Sequence, residues 1–154
     1  MAHSRVSRSR TLRAMCSLAL LAGLAAAAAA GAEPRVLVPG SRVSLEPPPM
    51  LALSPELPGF LWDEMAASIA INQFQQPFEQ AAGALSREAI QSQGLEWIDS
   101  TAAEVSHHNA VLGRSRQLAA GIWFEKWLLL FGDEHEAVLV AATFPEVLSR
   151  EPPR

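Results

Sequence analysis

Two apolar runs separated by a short polar segment dominate the hydropathy pattern of this chain. They are Ile122-Trp123-Phe124-Glu125-Lys126-Trp127-Leu128-Leu129-Leu130-Phe131 and Ala137-Val138-Leu139-Val140-Ala141-Ala142-Thr143-Phe144, joined through Gly132-Asp133-Glu134-His135-Glu136. Runs of strand length, rich in aromatic and β-branched residues and connected by a segment that opens with Gly-Asp, read as a β-hairpin. Side chains alternate across a strand. Trp123, Trp127, Leu129 and Phe131 therefore share one face, and Ile122, Phe124, Leu128 and Leu130 share the other. A strand covered on one side only would alternate with polar residues, so two apolar faces predict a mid-sheet hairpin with something packed on each side.

The same pattern places the other elements. Ser41-Arg42-Val43-Ser44-Leu45 alternates as a short strand, and Pro47, Pro48 and Pro49 stop it because proline cannot donate to a ladder. Gly59-Phe60-Leu61-Trp62 and residues 68–74 predict a second hairpin. From residue 77 to about residue 93, Phe78, Ala81, Ala82, Leu85, Ala89 and Ile90 recur at three- and four-residue steps and predict one amphipathic helix. Pro77 suits its first position, Glu79 its positive end and Gly94 its stop, while Gly83 weakens it by about 1 kcal/mol relative to alanine. Leu95-Glu96-Trp97-Ile98 reads as a short strand, followed by a polar segment to Asn109 and a strand over residues 110–118. After the Ala120-Gly121 turn, residues 110–118, 122–131 and 137–144 are expected to form an up-down-up meander. Beyond Pro145 a helix begins and soon meets Pro152-Pro153.

The N-terminal fifth changes the picture of where the protein works. Arg5, Arg8, Arg10 and Arg13 make a cationic start, an uncharged alanine-rich stretch follows, and Ala30-Gly31-Ala32 has the small-x-small form of a cleavage site. Residues 1–32 read as a secretory signal peptide, residues 33–40 as an extended lead-in poorly ordered at its start, and residues 41–154 as a single domain. The expected location is periplasmic or secreted, with no membrane insertion after cleavage; an inner-membrane anchor made by an uncleaved signal is the alternative. Cys16, the only cysteine, precedes the hydrophobic run instead of following it, as a lipid-modified cysteine would. Cleavage removes it, and thiol chemistry with it. All 16 acidic residues follow Ala32 but four of the 12 basic ones precede it, so the mature charge is 8 minus 16, or −8. That balance excludes nucleic acid and anionic membrane surfaces as natural partners.

The stretches Arg42-Val43-Ser44-Leu45-Glu46-Pro47-Pro48, Gly59-Phe60 and Ala67-Ser68-Ile69, the helix from Pro77, then Trp127-Leu128-Leu129-Leu130-Phe131-Gly132-Asp133 and Ala142-Thr143-Phe144-Pro145, occur in an order that resembles the PsbP-like group of small exported bacterial proteins, including the DcrB-like periplasmic proteins. The resemblance runs from about residue 42 to residue 145. It implies an α+β fold, an antiparallel sheet covered by helices on both faces, and a role in binding or assembly instead of catalysis. It brings no catalytic motif. Members of the group usually continue past the Phe-Pro pair with a full helix and often another strand. Against that pattern the C-terminal part here is short or truncated, and one sheet face is expected to be under-covered.

Three constellations carry candidate chemistry. Trp123 and Trp127 share a strand face with Glu125 between them and could stack on a sugar ring, although aromatic stripes on central strands are more often core, with the indole N–H groups hydrogen-bonded. Arg114 and Arg116 share a face of the preceding strand and could grip a carboxylate or phosphate, or simply be solvated. In the meander, His107 and His108 are carried toward Asp133, Glu134, His135 and Glu136. Imidazole with carboxylate suits zinc, or copper or nickel, more than calcium, yet acidic hairpin turns are usually just solvated. For nucleophilic catalysis, Gly113-Arg114-Ser115-Arg116-Gln117 lacks the second glycine of a nucleophile elbow, and nothing fixes His107, His108 and Asp99 as its partners. The expected function is an exported, non-catalytic binding or assembly module for another envelope protein or a small ligand, with no cofactor required. A cell-wall hydrolase or carbohydrate-binding module, and a metal-binding periplasmic protein, are the alternatives.

Overall fold

A hairpin at the start of the domain lies on one face of a long sheet in the computed structural model, which describes residues 34–149. The signal-peptide reading of residues 1–32, and Cys16 with it, fall outside the described residues. Strand β1 (Val36–Leu37) pairs antiparallel with β2 (Ser44–Leu45). Strands β3 (Ala52–Leu53), β4 (Gly59–Trp62) and β5 (Ala67–Phe74) follow, then α1 (Phe78–Ala82) and α2 (Arg87–Ser92). The chain finishes its sheet with β6 (Glu96–Val105), β7 (His108–Ala119), β8 (Ile122–Gly132) and β9 (Ala137–Pro145). Strands β3 to β9 make one seven-stranded sheet in the order β3-β4-β5-β9-β8-β7-β6, antiparallel at every junction.

The expected meander is present, with Leu129 opposite both Leu112 and Val140. The β6–β7 and β7–β8 turns have left-handed backbone at both central residues, Ser106 (φ 49°) with His107 (φ 68°) and Ala120 (φ 49°) with Gly121 (φ 78°). That conformation matches the twist of the strands it joins. Two packed layers cover the sheet from opposite sides. On what we term the helix face, Phe78, Ala81, Leu85 and Ile90 pack against Leu130 and Ala137, with Leu128, Val111, Leu139 and Trp97 around them. On the hairpin face, Val38 joins Phe60, Ile71 and Val138, flanked by Val36, Val43, Leu45, Leu51, Ile69, Phe131 and Val140.

This arrangement corrects the expected fold class. Over the described residues the protein is predominantly antiparallel β, not an α+β fold with helices on both faces: the two α-helices among them are short and lie on one face, and a β-hairpin packs on the other. The physical reason lies at two places. The predicted helix breaks into α1, a 3-10 turn at Gly83–Leu85, and α2, whose start is capped by the Ser86 hydroxyl accepting from the Ala89 N–H at 3.2 Å. The lead-in, expected to be poorly ordered at its start, contributes Val38, which is 0% exposed and as buried as any residue of the core; the compact unit begins at Arg35. The helix expected after Pro145 is a single 3-10 turn, Glu146–Leu148. The polar segment after Ile98 is strand, since β6 runs on to Val105. Among the described residues, no helix is long and apolar enough to cross a membrane.

Candidate functional site

The β1–β2 hairpin packs over only the part of its face around Phe60, Ile71, Phe131 and Val138. On the rest of that face, register sets the composition. Arg114 on β7 stands opposite Asp99 on β6 and Trp127 on β8, and Trp127 stands opposite Ala142 on β9. In the next row Arg116 is flanked by Glu96 and Glu125, and Glu125 by Phe144. The result is a ladder of paired charges and aromatic rings.

Both arginines are satisfied within the chain. The Arg114 guanidinium grips both carboxylate oxygens of Asp99, with Nε to Oδ1 at 2.9 Å, and the Arg116 Nε donates to Glu96 Oε2 at 2.7 Å. Hydrogen bonding from Arg114, helped by its charge, holds the Asp99 carboxyl below the usual carboxylate range, and Asp99 in turn raises the pKa of Arg114. The carboxylates expected from a ligand are thus supplied by β6. Each guanidinium also lies against an indole: Arg116 is 4.5 Å from the Trp123 ring centre and Arg114 is 5.8 Å from that of Trp127. The Trp127 ring N–H donates to Glu125 Oε2 at 3.1 Å, and its ring meets Phe144 edge to face at 6.1 Å.

Trp127 remains 39% exposed, far more than the core reading of the two indoles allows, and Trp123 is only partly buried. Next to Trp127, across Ala142 and Phe144, lies an apolar groove of about 270 Å³. Met50 and Leu51 line it from the segment after the prolines, Trp62 and Ile69 from β4 and β5, and Leu148 from the last turn. Met50 (56%) and Leu148 (39%) are exposed at its mouth. Sequence reasoning missed these groove residues. Writing out the β8–β9 register would have found Phe144, which shares the face of Trp127; Met50 and Leu148 come from loops whose path no periodicity specifies.

The histidine and acid cluster is assembled in part. The β6–β7 turn, the β8–β9 loop and the start of α1 meet around an open cleft of about 530 Å³ lined by His107, His108, Asn109, Asp133, Glu134, Phe78 and Glu79. The Phe78 N–H donates to the Asp133 carbonyl at 2.8 Å and pins the helix to the loop. His107, His108 and Asp133 are thereby brought to one cleft, as the meander predicts. His135 and Glu136 are not. Glu136 turns away to accept from Arg42 and, at 2.9 Å, from Gln73. His135 contributes its backbone: its N–H and that of Glu136 donate to Asp133 Oδ1 at 2.8 and 3.0 Å. These two bonds, followed by the nearby His135 and His108 side chains, lower the Asp133 pKa. Among the described residues no three His, Cys, Asp or Glu side chains form a set able to hold a metal ion. The nucleophile fragment is also placed: Ser115 is 1% exposed on the helix face between Trp97 and Lys126, and its hydroxyl has no hydrogen-bond partner among the described residues.

No family model matches the chain, and no curated protein matches it. Among solved structures it is similar to the crystal structure of a protein of unknown function from Pseudomonas aeruginosa, with a TM-score of 0.44 and 15% identity, over 57% of this chain and 73% of that one. A likeness at that distance carries no functional argument.

Proposed function

We propose that the protein is an exported, non-catalytic binding or assembly module that docks another envelope protein on the open half of its hairpin face. One observation carries the reading: Trp127 is 39% exposed and its ring meets Phe144, which lines an open apolar groove. Aromatic residues, methionine and arginine are enriched where protein interfaces bury their centres, and this surface combines Trp127, Phe144, Met50, Arg114 and Arg116. The groove, at about 270 Å³, is small for a drug-sized ligand and suits one large apolar side chain of a partner. The mature chain's charge of −8 (8 basic against 16 acidic residues) favours a partner with a basic rim. Export is supported by the arginine-rich start and the Ala30-Gly31-Ala32 site.

A crosslinked pull-down from the host's envelope fraction tests the reading, with His135→Ala, at the opposite end of β8, as the control. Wild type and His135→Ala should capture the same partner, and Trp127→Ala should reduce capture by about tenfold or more, the loss typical of a central interface aromatic. Equal capture by all three proteins would overturn it.

A further inference from the structure

The seven-stranded sheet has two unlike edges. At one, β3 is two residues long; at the other, β6 has ten residues bonded to β7 alone. Among the described residues, no backbone hydrogen bond outside the β6–β7 ladder uses the N–H or C=O groups of β6. Such an edge is a template for another strand, which proteins usually block with lysine, proline or charges that point outward. Residues 100–103 of β6, Ser-Thr-Ala-Ala, are exposed, small and uncharged. Of the charges around them, Glu96 is engaged with Arg116 and Asp99 with Arg114, while Glu104 is exposed, 3.5 Å from the His107 ring of the turn. The register shift between Trp97 and Asp99 ends the regular stretch, leaving residues 99–105 as an undefended strand.

We propose that β6 pairs antiparallel with β6 of a second copy, about a twofold axis through Ala102, so that two sheets join into one. Residues 99–105 are self-complementary about that centre. Asp99 of each copy opposes Val105 of the other, Ser100 opposes Glu104 and can donate its hydroxyl to it, and Thr101 opposes Ala103. No like charges meet. A one-residue slip would set Asp99 against Glu104 and turn the two hairpin faces to opposite sides, so the register is specified. In the paired form both open hairpin faces lie on the same side of the joined sheet.

Sedimentation of the full chain at about 100 μM should give twice the monomer mass of 16.6 kDa, dissociating on dilution as a small interface does. Ala102→Lys sets two ammonium groups against each other on the axis and should restore the monomer without change in circular dichroism. An independent variant, Ala102→Cys in a Cys16→Ser background, should form a disulfide-linked dimer on mild oxidation. Leu118→Cys, exposed at the far end of β7, should not. A monomer at every concentration, a dimer indifferent to Ala102→Lys, or equal crosslinking at Leu118→Cys would each overturn the proposal.

Discussion

Arg116 lies 4.5 Å from the ring centre of Trp123, against the face that a sugar would need for stacking. The same guanidinium donates to Glu96, so it is held there from both sides. Of the two indoles, Trp127 is therefore the one left to make an outside contact. A partly exposed ring held by Phe144, Arg114 and a hydrogen bond to Glu125 contributes less to folding than a core side chain. Trp127→Ala should cost about 1 to 2 kcal/mol in denaturant melts, against roughly 2 to 5 kcal/mol for Leu130→Ala, whose residue is 2% exposed. Equal losses would mean that Trp127 is a core residue and no docking face.

Acid should act on two carboxylates. Asp99 and Asp133 both have folded pKa values below the ordinary 3.8, the first through Arg114 and the second through two backbone N–H bonds. A lowered folded pKa contributes stability that is full above the unfolded value and is lost as pH falls through the folded one, so the loss belongs below about pH 4. Thermal melts should show a shallower acid limb in Asp99→Asn and in Asp133→Asn than in wild type. Asp99→Asn should also be less stable at neutral pH. Acid limbs parallel to wild type would mean that neither interaction survives in solution.

Glycine substitutions should separate sharply by site. A Cβ on Gly59 would meet the Ile69 carbonyl oxygen at 1.9 Å, so Gly59→Ala requires backbone movement in β4 or β5 and should lower stability by more than about 3 kcal/mol. Gly83 has helical backbone (φ −58°) and open space around it. Gly83→Ala should therefore stabilise by about 0.5 to 1 kcal/mol, by restricting the unfolded chain. Chemical denaturation of the two variants side by side checks both signs.

Ser115 offers a different sign test. Its buried hydroxyl has no partner among the described residues, so removing it removes a desolvated group without breaking a bond among them. Ser115→Ala should be neutral or stabilising by up to about 1 kcal/mol in denaturant melts. A loss above about 1 kcal/mol would point to a hydrogen bond made in solution.

The meander and the cover on both faces of the Leu128–Phe131 end of β8 were legible in the chain, because an unbroken apolar run finds partners on both sides only in mid-sheet, whereas Trp127 at its start stays exposed. What covers those faces was not. Val36 and Val38 lie in a short stretch between prolines, where a single turn of alternation resembles any loop, and only the sheet beneath shows them to be core. Asp99 to Glu104 carries no apolar stripe because an edge strand has little to bury. The site was legible residue by residue and not in its pairing. Arg114, Arg116, Trp123 and Trp127 stand out by type, but that Asp99 and Glu96 neutralise the arginines follows from register across β6, which includes an irregularity no pattern announces. His135 and Glu136 were drawn into the metal cluster by proximity in sequence, whereas the loop uses Asp133 to bind its own backbone and sends Glu136 to Arg42.

The strand order has a consequence for how the chain reaches this state. Strands β3 to β5 and β6 to β9 are two runs of sequential neighbours, each able to zip from its own tight turns, and they meet only where β5 pairs with β9, from Ser68 with Thr143 to Phe74 with Ala137. The last strand made on the ribosome thus lies beside the seam that joins the two halves. Until it emerges, β5 and β8 are both left as raw edges, and Ile71 has no Val138 or Val140 to pack against. Completion of the core therefore waits on a slow kind of event, closure of a long loop after the other strands of the sheet have been made. During that interval two apolar strands, β5 and β8, are unprotected, a condition that places the protein's main aggregation risk before folding and not after it.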